Sequence, residues 1–357
     1  MKKPIPKQYE KNLFLSINQI QQEAEQLVRH NKYETYWQEL QYVLDSFLNL
    51  LKNAKYQGGT ENLYTTYQEE IEMTNNNIKK CVRYFLNGEI NASYNSFNRR
   101  WNTLWKGNFD KTSTIFELAE STILYKLRKS EDKAFGRKDF FHVPFNLRGK
   151  IDNNRFSISG YPCLYLGRSI YTCWEELRRP KLSEISVAGF NVQKEIRLLD
   201  LRLKTNVKSS IAESNNISLL PYILASSIRV HSEGDHFKPE YIIPQLLLHS
   251  VIKNKDNLLY DYDGVIFTST RRNINFIDRS IDLYDNIAIP VMNTRYSKYD
   301  KTLATYFIES APIYFEHELL KGRIHCLNSS GDLKYNNTVF SALERIIEED
   351  NDFKTIL

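Results

Sequence analysis

The chain has 357 residues, of which 41% are hydrophobic and 25% charged, proportions typical of a soluble globular protein. Its net charge is +5, and the basic residues are spread along the chain without a concentrated run. This pattern argues against a nucleic-acid-binding protein, which usually carries a basic stripe, and it remains compatible with a local pocket for an anionic small molecule. The length predicts two domains.

No apolar run approaches the ~20 residues that a membrane-spanning helix needs, and residues 1–6 lack the apolar stretch of a secretory signal. The four cysteines, Cys81, Cys163, Cys173 and Cys326, form no Cys-x-x-Cys pair and have no histidine at zinc-ligand spacing. We therefore expect a cytoplasmic protein with buried thiols, no metal and no membrane partner.

Helical periodicity extends from about residue 9 to residue 107, which predicts roughly four helices. One predicted helix presents an apolar face made of Tyr36, Leu40, Val43, Leu44, Phe47 and Leu51. Gly58-Gly59 interrupts the pattern, and Gly107 follows the last helix. This helical region, 1–110, is predicted to be a regulatory or partner-binding domain, because it has an amphipathic pattern and no cluster of catalytic side chains.

Short β-rich runs begin after about residue 112 and alternate irregularly with helical runs, which predicts an α+β fold with a mixed sheet. The predicted strands are 163–166, 185–192, 196–203, 264–268, 287–291 and 305–309. One predicted helix starts at Ser169, a good N-cap residue, and the last helix covers about 338–349 with Asn337 as its cap. We assign 111–310 to a catalytic domain and 311–357 to a strand–helix extension.

Arg155, Tyr165 and Glu176 are separated by ten and then eleven residues, and their side chains suit a dinucleotide pocket. A guanidinium can hold a pyrophosphate with paired hydrogen bonds. A tyrosine ring can stack on nicotinamide or the adjacent ribose, and a carboxylate can stabilise a sugar cation. Nicotinamide in NAD already carries a positive charge, so it can leave as a neutral molecule without a general acid.

Each of these residues also has a structural interpretation. Arg155 could form a surface ion pair, Tyr165 could belong to the core, and Glu176 could be a solvated helix residue. Glu175 competes with Glu176, because a helix turns about 100° per residue and only one of the two side chains can face a pocket. The spacing favours Glu176.

The stretch from Arg155 to Glu176 resembles the signature of the RES-domain family, in which an arginine, a tyrosine and a glutamate follow at the same two gaps. Residues 124–128 resemble the family's opening strand, and 263–270 resemble the strand that ends in its serine, placed here at Ser269. The resemblance covers about residues 122–295. Where the family often has two glycines before its arginine, this chain has Asn153 and Asn154.

The resemblance implies a fold related to ADP-ribosyltransferases and cleavage of NAD as a substrate, with no other cofactor. It also implies a toxin held in check by an antitoxin or regulatory protein. Arg155, Tyr165, Glu176 and Ser269 become the catalytic candidates, with Ser269 donating a hydrogen bond to substrate, unless it merely forms a strand-end turn. Arg128 and Gln245 are further substrate-binding candidates, although Gln245 also suits plain helix packing.

Three functions remain open from the sequence. The first is an NAD phosphorylase or glycohydrolase, with phosphate or water as acceptor. The second is an ADP-ribosyltransferase that modifies a protein or a nucleic acid, since only the acceptor differs. The third is a non-enzymatic partner-binding scaffold. Neither the acceptor nor homo-oligomerisation can be read from the sequence.

Overall fold

A computed structural model describes residues 20–53, 63–106, 114–130, 135–203, 215–253, 262–271, 276, 281–292, 298–324 and 334–357. These residues form helices and a mixed sheet, so the predicted α+β class is confirmed. Gly58 and Gly59, where a break between helices was predicted, lie outside the described residues, and so do Gly107 and Cys326. No helix of the described ranges is both long and apolar enough to cross a membrane.

Two compact units divide the chain. The first comprises the described parts of 1–115, 153–156 and 201–259, and the second comprises those of 116–152, 157–200 and 260–357. This division differs from the predicted segments 1–110, 111–310 and 311–357, because 153–156 and 201–259 group with the N-terminal helices. The C-terminal residues group with the sheet.

The first unit is helical. Residues 20–29 form a helix, and the further helices are Tyr36–Asn53, Leu63–Leu86, Ile90–Lys106, Leu220–Ser227 and Ile242–Lys253. The predicted inward face of Tyr36–Asn53 is confirmed, because Leu40, Val43, Leu44, Phe47 and Leu51 are fully buried. Burying such an apolar stripe against neighbouring helices provides most of the stability of a helix in a globular protein.

The helix Leu220–Ser227 explains why residues 201–259 join this unit. Seven of its eight residues are buried, and a helix that is apolar nearly all round needs partners on every side. The ring of Tyr222 lies 5.6 Å from that of Phe97 and 5.3 Å from that of Trp101, edge to face in both cases. Aromatic contacts of this geometry join sequence-distant helices into one core.

The second unit is built on a mixed sheet. Its strands are β1 Ile115–Leu118, β2 Ile123–Lys129, β3 Cys163–Gly167, β4 Ile185–Val192, β5 Ile196–Asp200, β6 Gly264–Thr268, β7 Asp285–Pro290, β8 Phe307–Ser310, β9 Ile313–Tyr314 and β10 Phe353–Thr355. They run in the order β1-β5-β6-β7-β3-β2-β4-β8-β10, with β9 beside β4. Strands β5 and β6 pair in parallel, whereas β6–β7, β7–β3, β3–β2 and β2–β4 are antiparallel pairs.

Helices cover this sheet, and each of its faces contributes to a separate hydrophobic cluster. One cluster contains Leu164, Leu166, Ile287 and Ile289 from β3 and β7. The other contains Tyr125 and Leu127 of β2 together with side chains from two helices, which explains why the C-terminal residues belong to this unit. The helices of the second unit are Arg137–Phe140, Ile170–Glu176, Lys301–Ala304, Phe315–Leu320 and Val339–Asp350.

The last helix begins at Val339, one residue later than predicted. Thr338, rather than Asn337, is the N-cap, because the Thr338 hydroxyl accepts a hydrogen bond from the Ser341 backbone N–H at 3.3 Å. Threonine and asparagine both serve as caps, and the sequence offers them side by side. The strand β10 that follows this helix was not predicted.

Gly264 lies where strand β6 approaches the backbone of β7. A Cβ atom at this position would stand 2.4 Å from the carbonyl oxygen of Ala288, which belongs to a paired strand and cannot easily move. We expect Gly264→Ala to lower the free energy of unfolding by about 2 kcal/mol, as overpacking does. Denaturant unfolding measures this change. Gly149→Ala is the control, since no atom lies within 4 Å of its added Cβ. Equal stabilities of the two variants would contradict the close approach.

Candidate active site

The helix Ile170–Glu176 is fixed at its first turn. As predicted, Ser169 is its N-cap, and the Ser169 hydroxyl accepts from the Thr172 N–H at 3.1 Å. The same hydroxyl donates to the Leu283 carbonyl at 2.7 Å, and the Thr172 hydroxyl donates to that carbonyl at 2.6 Å. These bonds join the helix start to the residues just before β7, and they therefore determine where the helix end lies.

A glycine lets this helix sit close to β3. At Gly167, a Cβ atom would stand 2.6 Å from Cys173 Sγ and 3.0 Å from the Ser169 carbonyl oxygen. The turn from β3 into the helix therefore requires a residue without a side chain. The close turn brings Glu176, the last residue of the helix, back to the sheet.

Glu176 is held by side chains from two other segments. Its Oε1 atom accepts from Ser269 Oγ at 2.6 Å and from Asn286 Nδ2 at 2.9 Å. Its Oε2 atom lies 3.6 Å from Nε of Arg271. Ser269 and Asn286 are 6% exposed, whereas 36% of the Glu176 side chain remains exposed. The carboxylate is thus oriented by hydrogen bonds and still accessible from solvent.

Ser269 follows the end of β6, and its backbone N–H donates to the Tyr284 carbonyl at 2.8 Å. Its hydroxyl donates to Glu176 and accepts from the Arg271 N–H at 3.1 Å. A hydroxyl has one proton to give. The observed donation to Glu176 differs from the predicted bond to substrate, and it makes Ser269 a residue that orients the carboxylate.

Tyr165 lies on the same face of the sheet as Asn286. In β3, Leu164 and Leu166 point into one hydrophobic cluster, so Tyr165 between them points to the other face. Tyr165 pairs with Ala288 of β7, and Gly167 pairs with Asn286. Two residues along a strand return to the same face, so Tyr165 and Asn286 are diagonal neighbours. The tyrosine is partly exposed.

Glu175 has a different environment from Glu176. It is 3% exposed, and its carboxylate accepts from Arg179 through Nε at 2.9 Å and Nη2 at 2.8 Å. The Tyr171 hydroxyl also donates to it. These contacts hold the buried Glu175 carboxylate against the end of its own helix, so Glu175 has a structural role.

Arg155 belongs to the first unit. It is 9% exposed, and its Nη1 donates to the carbonyls of Ser226 at 2.6 Å and Ile228 at 3.0 Å, at the end of the helix Leu220–Ser227. Its guanidinium lies 5.2 Å from the ring centre of Tyr241. Arg155 and Glu176 thus lie in different compact units, and their joint action on one substrate stays a prediction.

Gln245 fixes the loop that precedes Arg155. Its amide nitrogen donates to Asn153 Oδ1 at 2.7 Å and to the Asn154 carbonyl at 3.3 Å. The two asparagines that replace the family's glycines are therefore anchored to the helix Ile242–Lys253. The observed contacts of Gln245 are with the loop, and its predicted contact with substrate stays a prediction.

Arg128 contacts a different region from Glu176. It shares the face of β2 that carries Leu124, opposite to Tyr125. Its guanidinium donates to the Asp139 carbonyl and lies 4.7 Å from the ring centre of Phe135. The structure therefore does not bring Arg128, which was predicted to bind substrate, to the Glu176 carboxylate and its partners.

The thiols and His142 have structural roles. Cys81, Cys163 and Cys173 are free and buried, and burial raises the pKa of Cys81 to about 11 and that of Cys173 to about 12. Such thiols stay protonated at neutral pH and are poor nucleophiles. His142 accepts from the Asp300 N–H at 2.8 Å, and burial lowers its pKa. Among the residues described, no group of three potential ligands could hold a metal ion.

Asn286 and Arg271 were not among the predicted site residues. Asn286 is a polar residue near the start of an apolar strand, and its 6% exposure becomes visible only in the folded structure. Arg271 lies two residues after Ser269. Both lie about a hundred residues from Glu176, so only the strand pairing of β6 with β7 shows that they meet.

Residues 124–293 match the family model of the RES domain. The chain therefore contains a RES domain, and the resemblance seen around Arg155, Tyr165 and Glu176 is confirmed. The chain is also 33% identical over 296 residues to a Bacillus subtilis (strain 168) protein named "Putative toxin YopC". That similarity covers 72% of this chain and 65% of the relative's length. No solved structure matches the chain.

Proposed function

We propose that this protein cleaves the nicotinamide–ribose bond of NAD and acts in the cytoplasm as a toxin. The observation that carries the proposal is the Glu176 carboxylate, which is oriented by Ser269 and Asn286 and is still 36% exposed. A fixed, accessible carboxylate is what a developing sugar cation requires. The RES domain and the name of the Bacillus subtilis relative support the toxin role.

In the proposed reaction, the bond between ribose C1′ and the pyridinium nitrogen breaks, and its electron pair goes to that nitrogen. Nicotinamide leaves as a neutral molecule, and the ribose acquires oxocarbenium character, as in glycoside hydrolysis. The negative charge of Glu176 stabilises this cation. An oxygen of water or of inorganic phosphate then bonds to C1′, and water loses its proton to solvent. NAD is the substrate, and no further cofactor is required.

The other residues bind and orient the dinucleotide in this proposal. Tyr165 offers its ring on the face of the sheet that carries Asn286, suited to stacking on the nicotinamide or its ribose. Arg155 binds the pyrophosphate, and Gln245 acts through the loop at Asn153 and Asn154. A toxin that consumes NAD needs restraint in its own cell, so we propose an antitoxin or regulatory protein as partner, docked on the helical region.

The direct test is to incubate the purified chain with NAD, with and without inorganic phosphate, and to identify the products by mass spectrometry. We expect nicotinamide in both cases, with ADP-ribose as the product of water and a phosphorylated ADP-ribose as the product of phosphate. Arg155→Ala and Arg155→Lys, checked for folding by circular dichroism, should raise KM. NAD left intact by the folded protein would refute the proposal.

The same experiment separates the alternatives. Label from NAD that remains attached to a protein or nucleic acid would identify an ADP-ribosyltransferase. Failure of the purified protein to bind NAD would favour a partner-binding scaffold.

A further inference from the structure

The helix that ends in Glu176 is short, so its orientation depends on contacts with other segments. Ile170–Glu176 has seven residues, whereas an isolated helix of fewer than about 12–15 residues is only marginally stable in water. The backbone N–H groups of the first turn of a helix have no acceptor within the helix. Ser169 satisfies one of them, that of Thr172, and the others need acceptors from elsewhere in the chain.

Glu344 provides such an acceptor. Its Oε1 accepts from the Ile170 backbone N–H at 2.8 Å and from the Tyr335 hydroxyl. Ile170 and Tyr335 are fully buried, and Glu344 is 7% exposed. An N–H group that is buried without an acceptor destabilises the structure that contains it, and hydrogen bonds to a carboxylate are stronger than those to a neutral acceptor. Glu344 therefore fixes the first residue of the helix.

The helix Val339–Asp350, to which that carboxylate belongs, also packs along the side of Ile170–Glu176. Phe340 lies one turn before the carboxylate, and its ring centre is 5.5 Å from that of Tyr171 and 5.1 Å from that of Trp174. Such aromatic contacts add to the stabilisation that comes from apolar burial. A single helix thus holds Ile170–Glu176 both at its start and along its side.

We propose that Glu344 is a positioning residue, which acts on catalysis through the helix Ile170–Glu176 without contacting substrate. At a rise of 1.5 Å per residue, the two ends of that helix are about 9 Å apart, so a tilt at its start displaces the Glu176 carboxylate at its end. The inference deepens the proposed function and rests on it. Glu344 lies beyond residues 124–293, which match the RES domain. The C-terminal segment is therefore needed for full activity of the domain.

The first test compares Glu344→Ala with Glu344→Gln in the full-length chain. The alanine leaves the Ile170 N–H without its acceptor, and we expect kcat for NAD cleavage to fall about 10- to 100-fold, as it does when a reacting group is displaced by on the order of 1 Å. The glutamine oxygen can still accept this bond, so kcat should return to within about threefold of wild type. The KM for NAD should change less than about twofold in both variants, because Arg155 and Tyr165 lie outside the helix.

Glu348→Ala is the matched control. Glu348 lies one turn after Glu344 on the same face of the same helix, and its Oε1 accepts from the Tyr125 hydroxyl at 2.8 Å. This substitution therefore removes a hydrogen bond to strand β2 and keeps the one to the start of the helix Ile170–Glu176. We expect it to leave kcat within about twofold of wild type.

Hydrogen exchange gives a readout that does not depend on NAD. Amide exchange in residues 170–176, followed by mass spectrometry, reports local opening of the helix. Glu344→Ala should speed this exchange about 10-fold, the effect of one charge-assisted hydrogen bond, and Glu348→Ala should leave it unchanged. Tyr335→Phe removes the second hydrogen bond to Glu344 and is the milder variant to use if Glu344→Ala does not fold. It should change the exchange rate and kcat about 2- to 5-fold.

The outcomes separate this inference from the proposed function. Wild-type protein that leaves NAD intact, together with faster exchange in Glu344→Ala, would refute the activity and support the anchoring of the helix. Folded Glu344→Ala with the kcat or the exchange rate of wild type would overturn the inference. Equal losses of kcat in Glu344→Ala and Glu348→Ala would also overturn it, because the effect would then be general destabilisation.

Discussion

Glu176→Gln is expected to lower kcat for NAD cleavage on the order of 1,000-fold while leaving the protein folded. The substitution removes the negative charge that stabilises the ribosyl cation, and such electrostatic terms account for several kcal/mol of a reaction barrier. The glutamine oxygen can still accept from Ser269 and Asn286, so the hydrogen bonds at Oε1 persist. Nicotinamide release at saturating NAD measures the rate, and denaturant unfolding measures the stability.

Glu175→Gln, at the neighbouring residue, is the control. It is expected to lower stability and to leave kcat nearly unchanged. Glu175 is buried and bonded to Arg179 and Tyr171, so weakening its charge-assisted bonds should cost about 1–3 kcal/mol of stability. At a temperature where both variants are folded, its kcat should stay within twofold of wild type. Equal activity losses in the two variants, or retained activity in Glu176→Gln, would contradict the assignment of Glu176.

The local features of this fold were predictable from the sequence. Ser169 as an N-cap and the apolar face of Tyr36–Asn53 depend on residues within a few turns of one another, and periodicity and side-chain type specify them. The strands β4 and β6 were predicted with their observed bounds for the same reason. The ten- and eleven-residue gaps indicated Glu176 over Glu175, and the two carboxylates do have different environments.

The long-range features were not predictable. Asn286 meets Glu176 because β3, which leads into the helix Ile170–Glu176, pairs with β7 and the helix start is bonded to Leu283. No property of residue 286 itself indicates this contact. The grouping of 201–259 with the N-terminal helices depends on which helices cover Leu220–Ser227. Such choices are made by tertiary packing, and a single sequence shows only that an apolar surface must be covered.

Glu309 shows another long-range effect, because its position in a predicted strand gave no indication of its burial. It is fully buried on β8, and neither carboxylate oxygen has a hydrogen-bond partner among the described residues. Burial raises its pKa to about 9, although the nearby cations of Lys126 and Arg137 act in the opposite direction and Asp139 raises it further. The folded protein therefore keeps this carboxyl group protonated at neutral pH.

A raised carboxyl pKa makes the folded state bind more protons than the unfolded state between pH 4.5 and about 9. The contribution of Glu309 to stability is therefore fully present below pH 4.5 and is lost as the pH rises toward 9. Lys126, whose pKa burial lowers to about 8, keeps its proton in both states below that value. Other groups that titrate between pH 5 and 7.5, such as His142 with its lowered pKa, are present in wild type and in Glu309→Gln alike, so the difference between the two proteins reports on Glu309.

Glu309→Gln should remove this pH dependence, because the neutral amide mimics the protonated acid. Across that window, wild type should lose on the order of 3 kcal/mol of unfolding free energy relative to the variant, at about 1.4 kcal/mol per pH unit. Urea unfolding at pH 5, 6 and 7.5 measures the difference. Glu184→Gln, a partly exposed carboxylate paired with Lys129 and Lys181, should show no such trend. A constant difference between wild type and Glu309→Gln at all three pH values would mean that the Glu309 carboxyl group is ionised in the folded protein.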